Sequence, residues 1–144
     1  MVININNYIT ELQQSLILYL SSEQYEKNFV VTSQFKKPSS PISLPIVSLS
    51  FDKISIIPMA MNNYISESVI DKHQIDINFS FSIYVPVNLG VNTCYDIFYE
   101  LSNSLLKNEI NIPFQSINCD NITFLKPINC FLLTAFAPIS IIPI

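Results

Sequence analysis

The sequence Q-I-D-I-N-F-S-F-S-I-Y-V-P, from Gln74 to Pro86, alternates apolar and polar residues without a break. Its odd-numbered positions are isoleucine, phenylalanine or valine, and its even-numbered positions up to Tyr84 are polar or tyrosine. This period of two predicts a β-strand about 36 Å long, because each residue advances the chain by about 3.3 Å. Pro86 cannot donate to a ladder and is predicted to end the strand. The apolar face must be covered by the rest of the chain, and the polar face can meet water or a polar partner.

A turn and an amphipathic helix follow this strand. The turn V-N-L-G holds Gly90, the only glycine of the chain, which predicts a positive φ or a crowded backbone there. Asn92 or Thr93 is predicted to cap the helix. A strand, a short turn and a helix in succession predict that the helix folds back over the apolar face of the sheet. Its predicted buried face consists of apolar residues at helical spacing: Cys94, Ile97, Phe98, Leu101 and Leu105.

The first part of the chain carries another helix and two strands. Apolar residues recur at steps of four and three from Ile5 to Tyr19, which predicts a helix of about four turns that ends near Ser21. The segments 29–35 and 46–51 are predicted strands. Asp52-Lys53 interrupts the alternation of the second strand before Ile54. Either a hairpin turn or a bulge in one long strand explains this interruption, and the absence of glycine and asparagine favours the bulge.

The last third of the chain is predicted to be mostly strand. Short strands are expected at 114–119 and 122–125, around the turn Asp120-Asn121. Residues 129–137 are apolar on both faces, which is typical of a central strand, and Pro138 is predicted to end it. Residues 138–144 then form an apolar C-terminal tail, which either fills the core or forms a contact surface.

These elements together predict one domain of the α+β class. A chain of 144 residues is long enough for one domain with a sizeable core, and 49% hydrophobic residues argue against disorder. We expect an antiparallel or mixed twisted sheet with two helices packed on one face.

Residues 59–73 form a long predicted loop with an unusual apolar content. Loops of this length inside a compact domain are usually functional or disordered. The loop is too apolar for a disordered linker, so we expect an interaction loop that packs against a partner subunit. Its apolar residues are Met59, Met61, Tyr64, Ile65, Val69 and Ile70.

The composition argues against several classes of function. The formal charge is −4 and the seven basic residues are scattered lysines, so no basic stripe is available to neutralise phosphates. Three cysteines without C-x-x-C spacing disfavour a disulfide framework and a zinc site. His73 is the only histidine, and one glycine cannot build a phosphate loop. We therefore expect no enzyme activity, no cofactor and no metal.

No targeting or membrane segment is predicted. The N-terminal residues M-V-I-N-I-N-N lack the positive region of a signal peptide. The apolar run 131–144 is too short, and too often interrupted by proline and polar residues, to span a bilayer.

Two stretches carry a resemblance to a known family. They are P-I-V-S-L-S-F-D-K-I-S-I-I-P, residues 45–58, and I-N-F-S-F-S-I-Y-V-P-V-N-L-G-V-N-T-C-Y-D-I-F, residues 77–98. With the order of elements, they resemble the tail terminator proteins of bacteriophages and phage-like contractile particles. The most specific piece is S-I-Y-V-P, followed by the glycine-containing turn and the C-x-x-I-F of the helix. Relatives tend to be glycine-rich in that turn, whereas this chain has only Gly90.

The resemblance implies a structural virion protein. It implies a ring of six subunits that caps the head-proximal end of the tail tube, ends tube polymerisation and joins the tube to the neck. The implied partners are other copies of the chain, the tail tube protein, a neck or connector protein and, in a contractile tail, the sheath protein. DNA would only pass through. The ring would be part of the virion, assembled in the cytoplasm of the host bacterium.

A subunit or tube interface is predicted at the apolar loop, the polar strand face and the tail. Besides the loop residues named above, it includes Tyr84, Ile139, Ile141 and Ile142. Two alternatives stay open. The chain could be a neck or head–tail connector protein of the same particle. It could instead be a small-ligand or peptide-binding module that uses the polar face around Tyr84, which would need a pocket with convergent polar groups.

Overall fold

The alternating segment forms the strand on which the sheet is built. The computed structural model describes residues 5–23, 29–32, 42–58, 73–107 and 112–141. In chain order, its helices and strands are α1 (Ile5–Glu23), β1 (Val30–Thr32), β2 (Ile46–Pro58), β3 (His73–Pro86), α2 (Asn92–Leu106), β4 (Asn118–Cys119), β5 (Thr123–Leu125) and β6 (Cys130–Ile141).

The sheet is mixed, and β3 lies near its centre. The strand order is β1-β2-β3-β6-β4, and β5 also pairs with β6. The pair β1–β2 is parallel, and every other pair is antiparallel. The predicted α+β domain with a mixed sheet and two helices is confirmed. The segment 129–137 is also a central strand, as predicted, because β6 has neighbours on both sides.

Both helices cover the same face of the sheet, which we call the helix face. Every odd-numbered residue of β3 from Ile75 to Val85 is at most 1% exposed. These residues share one core cluster with side chains of α1 and α2. Tyr19 Oη of α1 donates to the Ser104 carbonyl of α2 at 2.9 Å, which ties the two helices together. The helix residues in this cluster are Leu16, Leu20, Cys94, Ile97, Leu101 and Leu105.

A β-bulge lets β2 remain one strand. The register with β3 runs continuously to Phe51↔Phe79 and then resumes at Lys53↔Asn78, so Asp52 is the extra residue. The predicted bulge is therefore confirmed and the hairpin alternative is wrong. Because side chains alternate with period two, the extra residue puts Ile54 on the same face as Phe51.

Pro138 does not end the last strand, which corrects the sequence prediction. β6 continues to Ile141, so residues 138–141 of the predicted tail belong to the sheet, and 142–144 lie outside the described residues. The Thr134 carbonyl accepts from Asp120 N–H on the side away from β3. Since backbone groups alternate sides along a strand, the missing N–H of Pro138 points to that same side. No described strand pairs with β6 at Pro138 on that side, so the proline removes no ladder bond.

At the start of α2, the cap differs from the sequence prediction and the turn glycine agrees with it. The N-cap of α2 is Val91, without a side-chain capping bond, so neither Asn92 nor Thr93 caps it. Thr93 Oγ1 instead donates to the Leu89 carbonyl at 2.8 Å. Gly90 has φ 86° and ψ 157°, a conformation open almost only to glycine, which confirms the expected positive φ.

The opposite face of the sheet is only partly open to solvent. Ser48, Ser80 and Ser82 are at most 8% exposed. At the end of β3, a second apolar cluster buries Tyr84 to 4% exposure together with Ile128 and Cys130. The small serines are shielded by their neighbours, and Tyr84 packs under the turn at Lys126–Ile128. The expected polar surface is therefore limited to the end of this face where β3 begins.

Candidate interaction surfaces

The interface predicted from the sequence falls largely outside the described residues. Residues 59–72 of the interaction loop lie outside them, and His73 begins β3. The residues concerned are Met59, Met61, Tyr64, Ile65, Val69, Ile70 and, at the C-terminus, Ile142.

The predicted interface residues within the described ranges are mostly buried inside the chain. Tyr84 and Ile139 are 4% and 3% exposed. Ile141 is half-buried and packs against the main core. Burial also raises the pKa of the Tyr84 hydroxyl. β3 and β6 thus bring the side chains of Tyr84 and Ile139 into cores that leave little area for contact with a partner.

A polar cavity of about 470 Å³ opens where β2, β3 and β6 run past Asp76. Gln74 Nε2 and Ser140 Oγ donate to Asp76 Oδ1 at 3.0 and 2.7 Å. Both hydrogen bonds lower the pKa of the Asp76 carboxyl, and the bond from Gln74 has the larger effect. The carboxylate is thereby fixed in one orientation on an exposed surface.

A second cavity, of about 430 Å³, lies between α2 and the residues that precede β1 and β2. Phe29 and Ile97 are buried in it at 5% exposure, while Leu44 and Leu89 at its rim are 52% and 43% exposed. Two carboxylates one helical turn apart, Asp96 and Glu100, also line it. We call this cavity the acid-rimmed groove.

The opposite edge of the sheet presents an aromatic side chain beside a cation. Phe124 in β5 is 47% exposed, and its ring packs 5.7 Å from that of Phe131, measured between centroids. Lys126 and Pro127 follow it and are both exposed. We call Phe124, Lys126 and Pro127 the edge knob.

Exposed apolar side chains also lie at the far end of β2, with Ile54 and Ile56 on the helix face and Ile57 on the opposite face. Ile54, Ile56 and Ile57 are 39%, 50% and 43% exposed. We call these three residues the β2 tip. Among the described strands, β1 pairs with β2 only at residues 46–48, so that side of the tip has no described neighbour.

The sequence prediction missed the groove and the knob. Leu44, Leu89 and Phe124 sit in short segments whose periodicity is too brief to separate a buried side chain from an exposed one. The available signal was the presence of large apolar residues within predicted turns or a few residues from them, where solvated positions are usually polar.

The cysteines show no sign of a reactive thiol. Burial raises the pKa of Cys94 to about 11 and also raises the pKa values of Cys119 and Cys130. A raised pKa keeps each thiol protonated and weakly nucleophilic at neutral pH. In the part of the chain that the structure describes, no group of three or more His, Cys, Asp or Glu side chains could hold a metal ion.

The buried thiol of Cys94 should make the protein less stable at alkaline pH. Unfolded, this thiol loses its proton above pH 9.0, whereas the folded chain keeps it up to about pH 11. The folded state thus binds more protons in this window, and the free energy of unfolding should fall as pH rises through it. Urea unfolding at about pH 8, 9 and 10 measures this slope. The Cys94→Ala variant should show a shallower slope, and an unchanged slope would assign the effect to other groups.

Two comparisons with known proteins gave no match. No protein-family model matches the chain, and no curated protein matches its sequence. No helix within the described ranges is long and apolar enough to cross a membrane.

Proposed function

We propose that this protein is a tail terminator of a bacteriophage or phage-like particle. Six copies form a ring on the head-proximal end of the tail tube. The ring stops polymerisation of the tube and offers a surface to the neck or connector protein and, in a contractile tail, to the sheath. The chain acts as a structural component of the virion and has no enzymatic role.

The observation that carries the proposal is the placement of the exposed apolar surfaces. A subunit of a capping ring needs lateral contacts with its neighbours and an axial contact with the tube. The acid-rimmed groove and the edge knob lie at opposite lateral edges of the sheet. The β2 tip lies along the strand direction, roughly 30 Å from Ile46 at about 3.3 Å per residue. Two surfaces at opposite lateral edges are thus present, together with a third that is displaced from the groove along the strand direction and is available for the tube.

The charge of the chain supports a role around passing DNA. Six copies at −4 each carry −24, and a ring of this charge does not retain the phosphate backbone. DNA therefore slides through the proposed ring as cargo and is not specifically bound.

The test is to add the purified protein to growing tubes of the tail tube protein from the same particle. Electron microscopy should show density at one end only and tubes that stop growing. In the Ile56→Lys variant, binding to the tube end should fall about tenfold or more, because truncating or charging a central interface residue costs about 2 kcal/mol.

Leu18→Lys is the matched control for this experiment. Leu18 is 71% exposed on α1, so the change adds the same charge to a solvated apolar site away from the β2 tip. Tubes that grow equally with and without the wild-type protein would contradict the terminator function. If both variants lose tube-end binding equally, the effect is due to the added charge, and the β2 tip is not the tube contact.

The first alternative is a neck or head–tail connector role in the same particle. A protein that binds a connector ring but does not bind the ends of tubes would favour it.

The polar cavity at Asp76 favours a second alternative, a small-ligand module, at a site different from the one predicted around Tyr84. Its fixed carboxylate suits a ligand with N–H donors. This alternative would be supported if the protein is monomeric, does not bind tail tubes and binds such a ligand.

A further inference from the structure

We propose that copies of this chain join head to tail, with the edge knob of one copy seated in the acid-rimmed groove of the next. This contact deepens the proposed terminator function, on which it rests for its biological role. It names the two surfaces by which the ring closes. The interaction itself is a property of the chain alone and needs no partner protein.

The two surfaces lie at the same level of the sheet and at opposite edges. The row Ile46↔Tyr84↔Leu132↔Thr123 crosses from β2 to β5. The groove residues Leu44 and Pro45 directly precede this row, and Phe124 directly follows Thr123. Counting β1 beside β2, five strands spaced by about 4.8 Å separate the edges by roughly 19 Å. A lateral step from one copy to the next therefore brings knob and groove together.

Both surfaces also open on the helix face. Phe124 pairs directly with Phe131 in the neighbouring strand, so the two side chains lie on one side of the sheet. Phe131 packs against the main core beneath the helices. The groove is lined by α2, which covers that same face. The repeat from copy to copy thus needs no flip of the sheet.

The apolar parts of the two surfaces complement each other. The groove has a floor of Phe29, Pro45 and Ile97 and exposed leucines at its rim. Its volume of about 430 Å³ lies within the range of about 300–1,000 Å³ that is usual for pockets that enclose a ligand. Phe124 offers a half-exposed aromatic ring, and aromatic side chains seated in apolar pockets dominate the energy of protein interfaces.

The charges of the two surfaces are also complementary. Asp96 and Glu100 line the groove, and neither forms an ion pair with any described residue. Lys126 stands two positions from Phe124 and is exposed. Seating Phe124 therefore brings one ammonium group towards two carboxylates, which favours this pairing over the reverse orientation.

Two different patches that fit each other produce a directional contact. Such heterologous contacts close into rings or extend into filaments, whereas a twofold dimer would use one patch on both copies. Each copy in the proposed contact uses its knob on one side and its groove on the other. The copies form a closed ring when the rotation that relates one copy to the next is a whole fraction of a full turn.

Charge exchange tests this contact by light scattering on the purified chain. The wild type should assemble with rising concentration. Lys126→Glu and Glu100→Lys should each weaken assembly about tenfold or more, because each places like charges across the contact. The double variant, and an equimolar mixture of the two single variants, should regain assembly, since the exchanged charge on the knob of one copy then faces the exchanged charge in the groove of the next. Phe124→Ala should weaken assembly without altering the circular dichroism spectrum.

Lys107→Glu and Glu11→Lys are the matched controls, since both residues are exposed and are not part of either surface. They make the same charge changes and should leave assembly within about twofold of the wild type. The proposal would be overturned if the wild type stays monomeric or if the double variant does not regain assembly. It would also be overturned if the control variants lose as much assembly as the test variants. A chain that assembles through these residues but ignores tube ends would keep this contact and refute the terminator function.

Discussion

Replacing Phe79 with alanine should lower the free energy of unfolding by about 3–5 kcal/mol, the usual cost of removing a buried phenyl group. Phe79 is fully buried at the centre of β3. Its ring packs 5.1 Å from that of Phe51 and 5.5 Å from that of Phe114, between centroids. The substitution would leave a cavity that joins β2, β3 and the segment after α2. Urea unfolding, followed by circular dichroism, measures the change as a lower midpoint.

Phe124→Ala is the matched control for this substitution. It removes the same atoms from a ring that is 47% exposed and that packs against the ring of Phe131. At concentrations low enough for both variants to be monomeric, we expect a loss of about 1 kcal/mol or less, as for most surface changes. Similar losses in the two variants would mean that the sheet does not bury Phe79 as described.

Deleting Ser50 should prevent the domain from folding, whereas deleting Asp52 should be tolerated. Both deletions shorten β2 by one residue, but only the deletion of Asp52 removes the bulge without moving any side chain to the other face. Without Asp52, Phe51↔Phe79 is followed at once by Lys53↔Asn78, and every side chain keeps its face. Without Ser50, either Asp52 takes the half-buried position opposite Phe79, in place of the Phe51 ring, or the segment before it turns Val47 and Leu49 away from the core. A carboxylate packed against the apolar core, or a reversed strand, costs several kcal/mol, which is about half or more of the stability of a typical domain.

The Asp52 deletion still has one expected cost. Asn78 Nδ2 donates to Asp52 Oδ2 at 3.2 Å on the surface, and this hydrogen bond would be lost. We expect a loss of about 1 kcal/mol. Soluble expression and the urea midpoint of the two variants measure the difference. If the two variants have the same soluble expression and urea midpoint, the register across the bulge does not determine which side chains of β2 face the core.

Long periodic segments made the fold predictable from the sequence. The period-two segment became β3, the helical spacing from Cys94 to Leu105 became the buried face of α2, and the interruption at Asp52-Lys53 became a bulge. Each of these has a pattern that only one local geometry satisfies. The position of Pro138 was not predictable in this way, since its tolerance depends on which side of β6 lacks a neighbour.

The interaction surfaces were predicted less well than the fold. Tyr84 occupies a polar position of the alternating pattern but is covered by the turn at Lys126–Ile128, more than 40 residues later in the chain. Leu44 and Phe124 have the opposite behaviour, because they are apolar and remain exposed. Exposure at a single position is decided by contacts between distant segments. Local sequence patterns do not contain that information.

The pairing of β3 with β6 has a consequence for the synthesis of the protein. Partners in this pair are separated by 44 residues at Pro86↔Cys130 and by 66 residues at Ile75↔Ile141. A ribosome adds about 5–20 residues per second, so β3 waits roughly 2–13 seconds for its second neighbour. During that time a strand with six inward apolar side chains is incompletely covered. The nascent chain therefore passes through an interval of several seconds in which chaperone binding, or contact with other nascent chains, competes with completion of the sheet.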